Sequence, residues 1–162
     1  MNSNDLNEKL TFIIVDNNIG KILMIRKTLG ELGVQPLVIS KKQYRERTLL
    51  AAKEAHEQGK LPVIFLNEYF GTNESESGSL ILFALSESLK DPGGILFPTS
   101  PFYGLQLEKW SEVLEEENHT WYIERELNPV LENFNSMEIS RVCNKFLSSI
   151  DSREQGGEIK NG

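Results

Sequence analysis

Short apolar runs alternate with longer stretches in which apolar residues recur every three or four positions. The first run, residues 11–15, reads Thr-Phe-Ile-Ile-Val and ends at Asp16. Runs of the same kind follow at 37–39, 62–66, 95–97 and 121–123. Continuous apolar, β-branched segments of this length predict strands covered on both faces, as strands of a parallel sheet are. Between them the period lengthens. Ile22, Ile25, Leu29 and Leu32 predict a helix over 20–32, with Gly33 as its stop. Leu49, Leu50, Ala52 and Ala55 predict the apolar stripe of a second helix over 43–58. Further helices are expected over 79–89, 105–117 and 136–150, the last carrying Ile139, Val142, Cys143, Phe146, Leu147 and Ile150 along one side.

Strand and helix thus alternate five times with short connections. This pattern predicts right-handed βαβ units and one parallel sheet with helices on both faces. For five strands the leading topology is doubly wound, flavodoxin-like, in the order 2-1-3-4-5. Ligands of such sheets bind beyond the carboxyl ends of the strands, where the winding reverses between strands 1 and 3. Asp16, Asn17, Asn67 and Thr99 each stand just past a strand end, so they are the candidate site.

The apolar pattern covers residues 10–150 and defines one domain. Residues 1–9 are polar and are expected to be poorly ordered. Residues 151–162 are polar and Gly-containing and read as a tail or a cut linker. Net charge is −7, which argues against direct nucleic-acid binding, since that needs clustered cations. The N-terminus lacks the apolar core of a signal peptide, and no apolar run reaches the length of a membrane span. With the single cysteine, Cys143, excluding an internal disulfide, a cytoplasmic protein is expected. There is no G-x-G-x-x-G, Walker A or G-x-S-x-G motif, and His56 and His119 have no zinc spacing. A basic stretch (Lys41, Lys42, Arg45, Arg47, Lys53, Lys60) contrasts with acidic residues in the predicted fourth helix, a pairing suited to steering a protein partner.

Several short motifs, in order and at matching spacing, resemble the receiver domain of bacterial response regulators. The strand ending in Asp16-Asn17 lies where receivers carry paired acids. Val63-Ile-Phe-Leu-Asn67 lies where they carry the acceptor aspartate. Gly78 matches the glycine opening the next helix. Thr99-Ser100 matches the strand-4 hydroxyl residue and its small neighbour, and Tyr122 matches the aromatic switch position. The departures decide what this resemblance implies. Asn17 replaces one acid and Asn67 replaces the acceptor. The family's lysine is missing, and either Arg125 or Asn128 (before Pro129) stands at its place. An amide is not a carboxylate nucleophile and cannot form an acyl phosphate. It also brings no charge to a Mg²⁺ site, so cation binding is expected to be weak or absent, with Asp16 at most a weak ligand.

The expectation is therefore an atypical receiver that is not an enzyme, has no cofactor, and acts through phosphorylation-independent protein contacts. The resemblance implies a histidine kinase or a regulatory output protein as partner. It also implies a possible homodimer through the fourth helix, fifth strand and last helix, with Trp110 as an anchor candidate. One alternative is the N-terminal receiver of a longer regulator with a DNA-binding or other output domain. Another, from a different class, is a flavodoxin-like cofactor binder or enzyme using the same crevice.

Overall fold

The computed structural model describes residues 3–70, 76–91, 93–102, 121–124, 127 and 133–161. Its strands are β1 (Leu10–Val15), β2 (Leu37–Ile39), β3 (Leu61–Leu66), β4 (Gly94–Pro98) and β5 (Trp121–Ile123). They form one sheet in the order β2-β1-β3-β4-β5, and every neighbouring pair is parallel. This is the flavodoxin-like α/β arrangement predicted from the alternating pattern. The helices are α1 (Ser3–Lys9), α2 (Ile19–Gly30), α3 (Tyr44–Glu57), α4 (Gly78–Ser88) and α5 (Ser136–Asn161). The expected fourth helix over 105–117, with Trp110, lies outside the described residues, as do His119, Arg125, Asn128 and Pro129.

The period-two alternation of side chains divides each strand between two cores. On one face Phe12, Ile14, Val63, Phe65, Ile95 and Phe97 pack with Ile25 and Leu29 of α2 and with Ile139, Val142 and Cys143 of α5. On the other, Ile13, Val15, Ile64, Leu66 and Leu96 pack with Ala51 and Ala52 of α3 and with Ile81, Leu82 and Leu85 of α4. Each fully buried aliphatic or aromatic side chain contributes about 1.5–3 kcal/mol relative to exposure. The two layers of core therefore hold the central strands β1 and β3 most firmly. Phe65 and Phe97 stack across the first core with centroids 4.7 Å apart. Trp121 docks β5 by donating from its indole to the Leu89 carbonyl at 2.7 Å. Among the described residues no helix is long and apolar enough to cross a membrane.

α2 ends as its sequence predicts. Gly33 sits at φ 71°, a conformation that a side chain opposes. Gly33 and Val34 then donate their N–H groups to the carbonyls of Gly30 and Leu29.

The helices differ from the expected pattern in three places. Residues Ser3–Lys9 form a helix, with Leu6 buried in the first core. One apolar anchor in a polar heptapeptide is too little periodicity to reveal a helix. α5 runs on to Asn161, past Ile150. In α3 the buried stripe is Tyr44, Thr48, Ala51, Ala52 and Ala55, whereas Leu50 is exposed. The adjacent leucines 49 and 50 cannot share one helix face, and the sheet takes the smaller residues beneath a close-packed helix.

α3 begins under strain. Its N-cap, Gln43, is at φ 62°, ψ 45°, and its side chain makes no capping bond. The left-handed conformation costs a non-glycine residue about 1–2 kcal/mol. Gln43→Gly is therefore expected to stabilise the chain by about 1 kcal/mol, raising Tm by about 2–4 °C in a thermal melt.

Candidate functional site

The backbone ladder continues one residue beyond the strands. Asp16 donates its N–H to Ile39 of β2, Asn67 to Val15 of β1, Thr99 to Leu66 of β3, and Glu124 to Leu96 of β4, at 2.8–3.2 Å. The residues predicted at strands 1, 3 and 4 are thus fixed side by side at the carboxyl edge of the sheet, and all are buried.

Asn67 is the centre of the cluster. Its amide nitrogen donates to Asp16 Oδ1 at 3.1 Å and to the Tyr69 carbonyl at 2.8 Å. Its amide oxygen accepts from Ser100 Oγ at 2.6 Å and from Lys21 Nζ at 3.5 Å. Every hydrogen-bonding position of the carboxamide is engaged. The orientation is dictated by the surroundings, because a flipped amide would set its oxygen against two acceptor oxygens. Ser100 Oγ in turn accepts from the Glu68 N–H at 3.0 Å, tying the ends of β3 and β4 together.

Asp16 is fully enclosed. Its Oδ1 also accepts from the Asn18 N–H at 2.9 Å, so it serves the turn into α2 as well as Asn67. Its Oδ2 has no hydrogen-bond partner among the described residues. Burial pushes the Asp16 carboxyl above its ordinary value of 3.8, against the opposing pull of the Asn18 N–H and the Lys21 ammonium. Asn17 turns aside and donates its Nδ2 to the Phe70 carbonyl at 3.1 Å, bracing the loop after β3. Phe70 stacks on Tyr44 of α3 at a centroid distance of 4.2 Å.

An open depression of about 410 Å³ lies over this cluster, lined by Asn17, Asn18, Lys21, Asn67, Tyr69 and Ser100, among others. Beneath its rim Glu68 is buried and accepts from the Ser79 N–H at 3.0 Å and from the Ser79 hydroxyl. Its carboxylate caps the start of α4, where negative charge suits the helix dipole. Gly78 makes this approach possible, since a Cβ there would collide with the Asn67 carbonyl.

Asp16, Asn67 and the strand-4 pair are therefore brought together, with one exchange of roles. Thr99 is buried but its hydroxyl has no partner among the described residues, and Ser100 makes the contact with Asn67. Tyr122 stands at the edge, 43% exposed, with its hydroxyl donating to Glu124 Oε2 at 3.1 Å. Sequence reasoning missed Lys21 and Glu68. Lys21 had one available signal, a cation in the first turn of a helix, where cations are disfavoured. Cys143 is fully buried, and burial pushes its thiol up to about 12, which makes it inert core.

Two outcomes follow from this geometry. Gly78→Ala is expected to destabilise the chain by about 1–3 kcal/mol, read by urea denaturation, because the junction of β3 and α4 must move. The raised carboxyl of Asp16 means that the folded state holds a proton the unfolded state releases just above pH 3.8. Its contribution is most favourable below that pH and is lost as pH rises through the higher folded value. In parallel melts, the stability of Asp16→Asn relative to the unaltered chain is therefore expected to increase from pH 4 towards pH 7.

Compared with models of protein families, with curated proteins and with solved structures, the chain finds no match.

Proposed function

We propose that this chain is an atypical receiver domain that regulates through protein contacts without being phosphorylated at the usual position. The observation that carries this reading is the Asn67 carboxamide at the end of β3, bonded to Asp16 and to the Tyr69 carbonyl. A receiver's chemistry needs a carboxylate oxygen to attack phosphorus. The neutral amide at this point is a weak nucleophile, and both of its ends are already held. The same residues support a module with no catalytic activity and no cofactor.

The partner class follows from the resemblance: a histidine kinase or a regulatory output protein of a bacterial signalling pathway, met in the cytoplasm. Self-association through the helix expected over 105–117, β5 and α5 belongs to the same reading. Tyr122, exposed on β5, is the described residue placed to take part. With no phosphoryl group to alter its equilibrium, the domain responds only to a partner that binds one conformation better than another.

The test is intact-mass measurement after incubation with acetyl phosphate and Mg²⁺. The expected result is an unchanged mass. A stoichiometric phosphoryl adduct mapped to Asp16, Asn67 or their neighbours overturns the reading.

A further inference from the structure

Asp16 is a buried carboxylate with one oxygen that has no hydrogen-bond partner among the described residues, and its charge has to be balanced. In a magnesium-binding crevice the cation does so, drawn out of water by several oxygens of net negative charge. The oxygens here do not suit that ion. Asp16 Oδ1 and the Tyr69 carbonyl each accept a hydrogen from Asn67 Nδ2, so a donor fills the point on which both acceptors converge. Asn17 points its amide nitrogen at Phe70. Among the described residues no group of three or more His, Cys, Asp or Glu side chains is placed to hold a metal ion.

We infer that Lys21 is the resident cation of this crevice, supplying from within the chain the positive charge that a divalent ion would bring, and excluding such an ion. The inference rests on the reading of Asn67 as a non-acceptor. Asn18 is the N-cap of α2, and its Oδ1 accepts from the Lys21 N–H at 3.0 Å, which puts Lys21 in the first turn. A cation there opposes the helix dipole, and α2 has no acidic residue in that turn to compensate. Local rules of this kind are broken at functional sites more than elsewhere. The side chain does not extend into solvent but is half-buried along the crevice wall. Its ammonium reaches Asn67 Oδ1 at 3.5 Å, on the side of the amide opposite Asp16. It also lies near enough to Asp16 to oppose the effect of burial on that carboxyl.

A divalent ion entering beside Asp16 would meet this ammonium at short range. Even at the dielectric constant of water, a +2 and a +1 charge about 5 Å apart weaken binding roughly tenfold. Without the ammonium, the ion has usable ligands. Asp16 Oδ2 has no hydrogen-bond partner among the described residues, and a cation at the point where Asp16 and the Tyr69 carbonyl converge would remove the clash that holds the Asn67 amide in its present orientation, letting it present its oxygen. Ser100 Oγ can then accept from the amide nitrogen, since a hydroxyl both donates and accepts.

The test is a Mn²⁺ titration of the ¹⁵N-labelled full chain, read as paramagnetic broadening of amide resonances. It compares the unaltered protein with Lys21→Met, Lys21→Gln and the charge-retaining Lys21→Arg. Met and Gln are one atom shorter than Lys, keep an unbranched helix-compatible stem and carry no charge, so both are expected to fold. The expected result is selective broadening at Asn17, Asn67 and Tyr69 in the Met and Gln variants at Mn²⁺ concentrations at least tenfold below any that affect the unaltered chain, with Arg behaving as unaltered. Equal Mn²⁺ dependence in the unaltered chain and the two neutral variants overturns the inference, whether both bind or neither does. The mass measurement above is independent of this outcome: variants that gain Mn²⁺ yet take no phosphoryl group leave the non-acceptor reading intact, and variants that gain nothing remove only the role of Lys21.

Discussion

The candidate site depends on a row of backbone hydrogen bonds that outlasts the strands by one residue. Asp16, Asn67, Thr99 and Glu124 are each tied through their N–H to the neighbouring strand. Because these bonds use only main-chain groups, they fix the positions of four side chains without regard to what those side chains are. The two cores beneath, filled by alternating residues of the same strands, make that edge rigid. A sheet built this way can exchange an acid for an amide at its edge and keep its fold, because the chemistry of the site and the stability of the sheet are carried by different atoms.

The amide at position 67 sets what the edge needs in order to be satisfied. Two carboxylates at this separation would repel and would require a cation between them. A carboxamide facing a carboxylate forms a hydrogen bond unaided, and the Asn67 amide finds its remaining partners in Tyr69, Ser100 and Lys21. The hydrogen bonds of the carboxamide are therefore complete as the chain folds. Glu68 and Gly78 add to this by locking the loop after β3 against the start of α4, on the side where the amide oxygen and nitrogen are held.

Most of the fold was legible because the strands are buried on both faces and so read as unbroken apolar runs. The order of the sheet followed from their alternation with helices, and the crevice from the sheet order. What was not legible had weak or misleading periodicity. Leu6 alone cannot announce α1, and Leu50 counted as core although the packing takes Ala51 and Ala52. At the site, positions set by the backbone were readable: Asp16, Asn67 and Thr99 are where strand ends place them. Contacts made by side-chain reach were not. Thr99 and Ser100 are adjacent hydroxyls, and only the twist of the chain leaving β4 decides that Ser100 meets Asn67. Lys21 lies five residues from Asp16 in sequence, and its role depends on a flexible stem folding back over the crevice.

On the proposed reading, the same distinction bears on how the domain would signal. A group that is transferred to the site would change the charge of the edge, and the ladder would transmit that change to the loops after β3 and β4. Here the edge around position 67 already carries the Asp16 carboxylate, the Lys21 ammonium and one amide engaged at both ends. Shifting such a set requires breaking several hydrogen bonds at once, each worth about 0.5–1.5 kcal/mol in the balance with water. On the proposed reading, the energy for a change of state would then come from contacts made over a surface rather than from a single covalent event, and a binding partner is a source that can supply it.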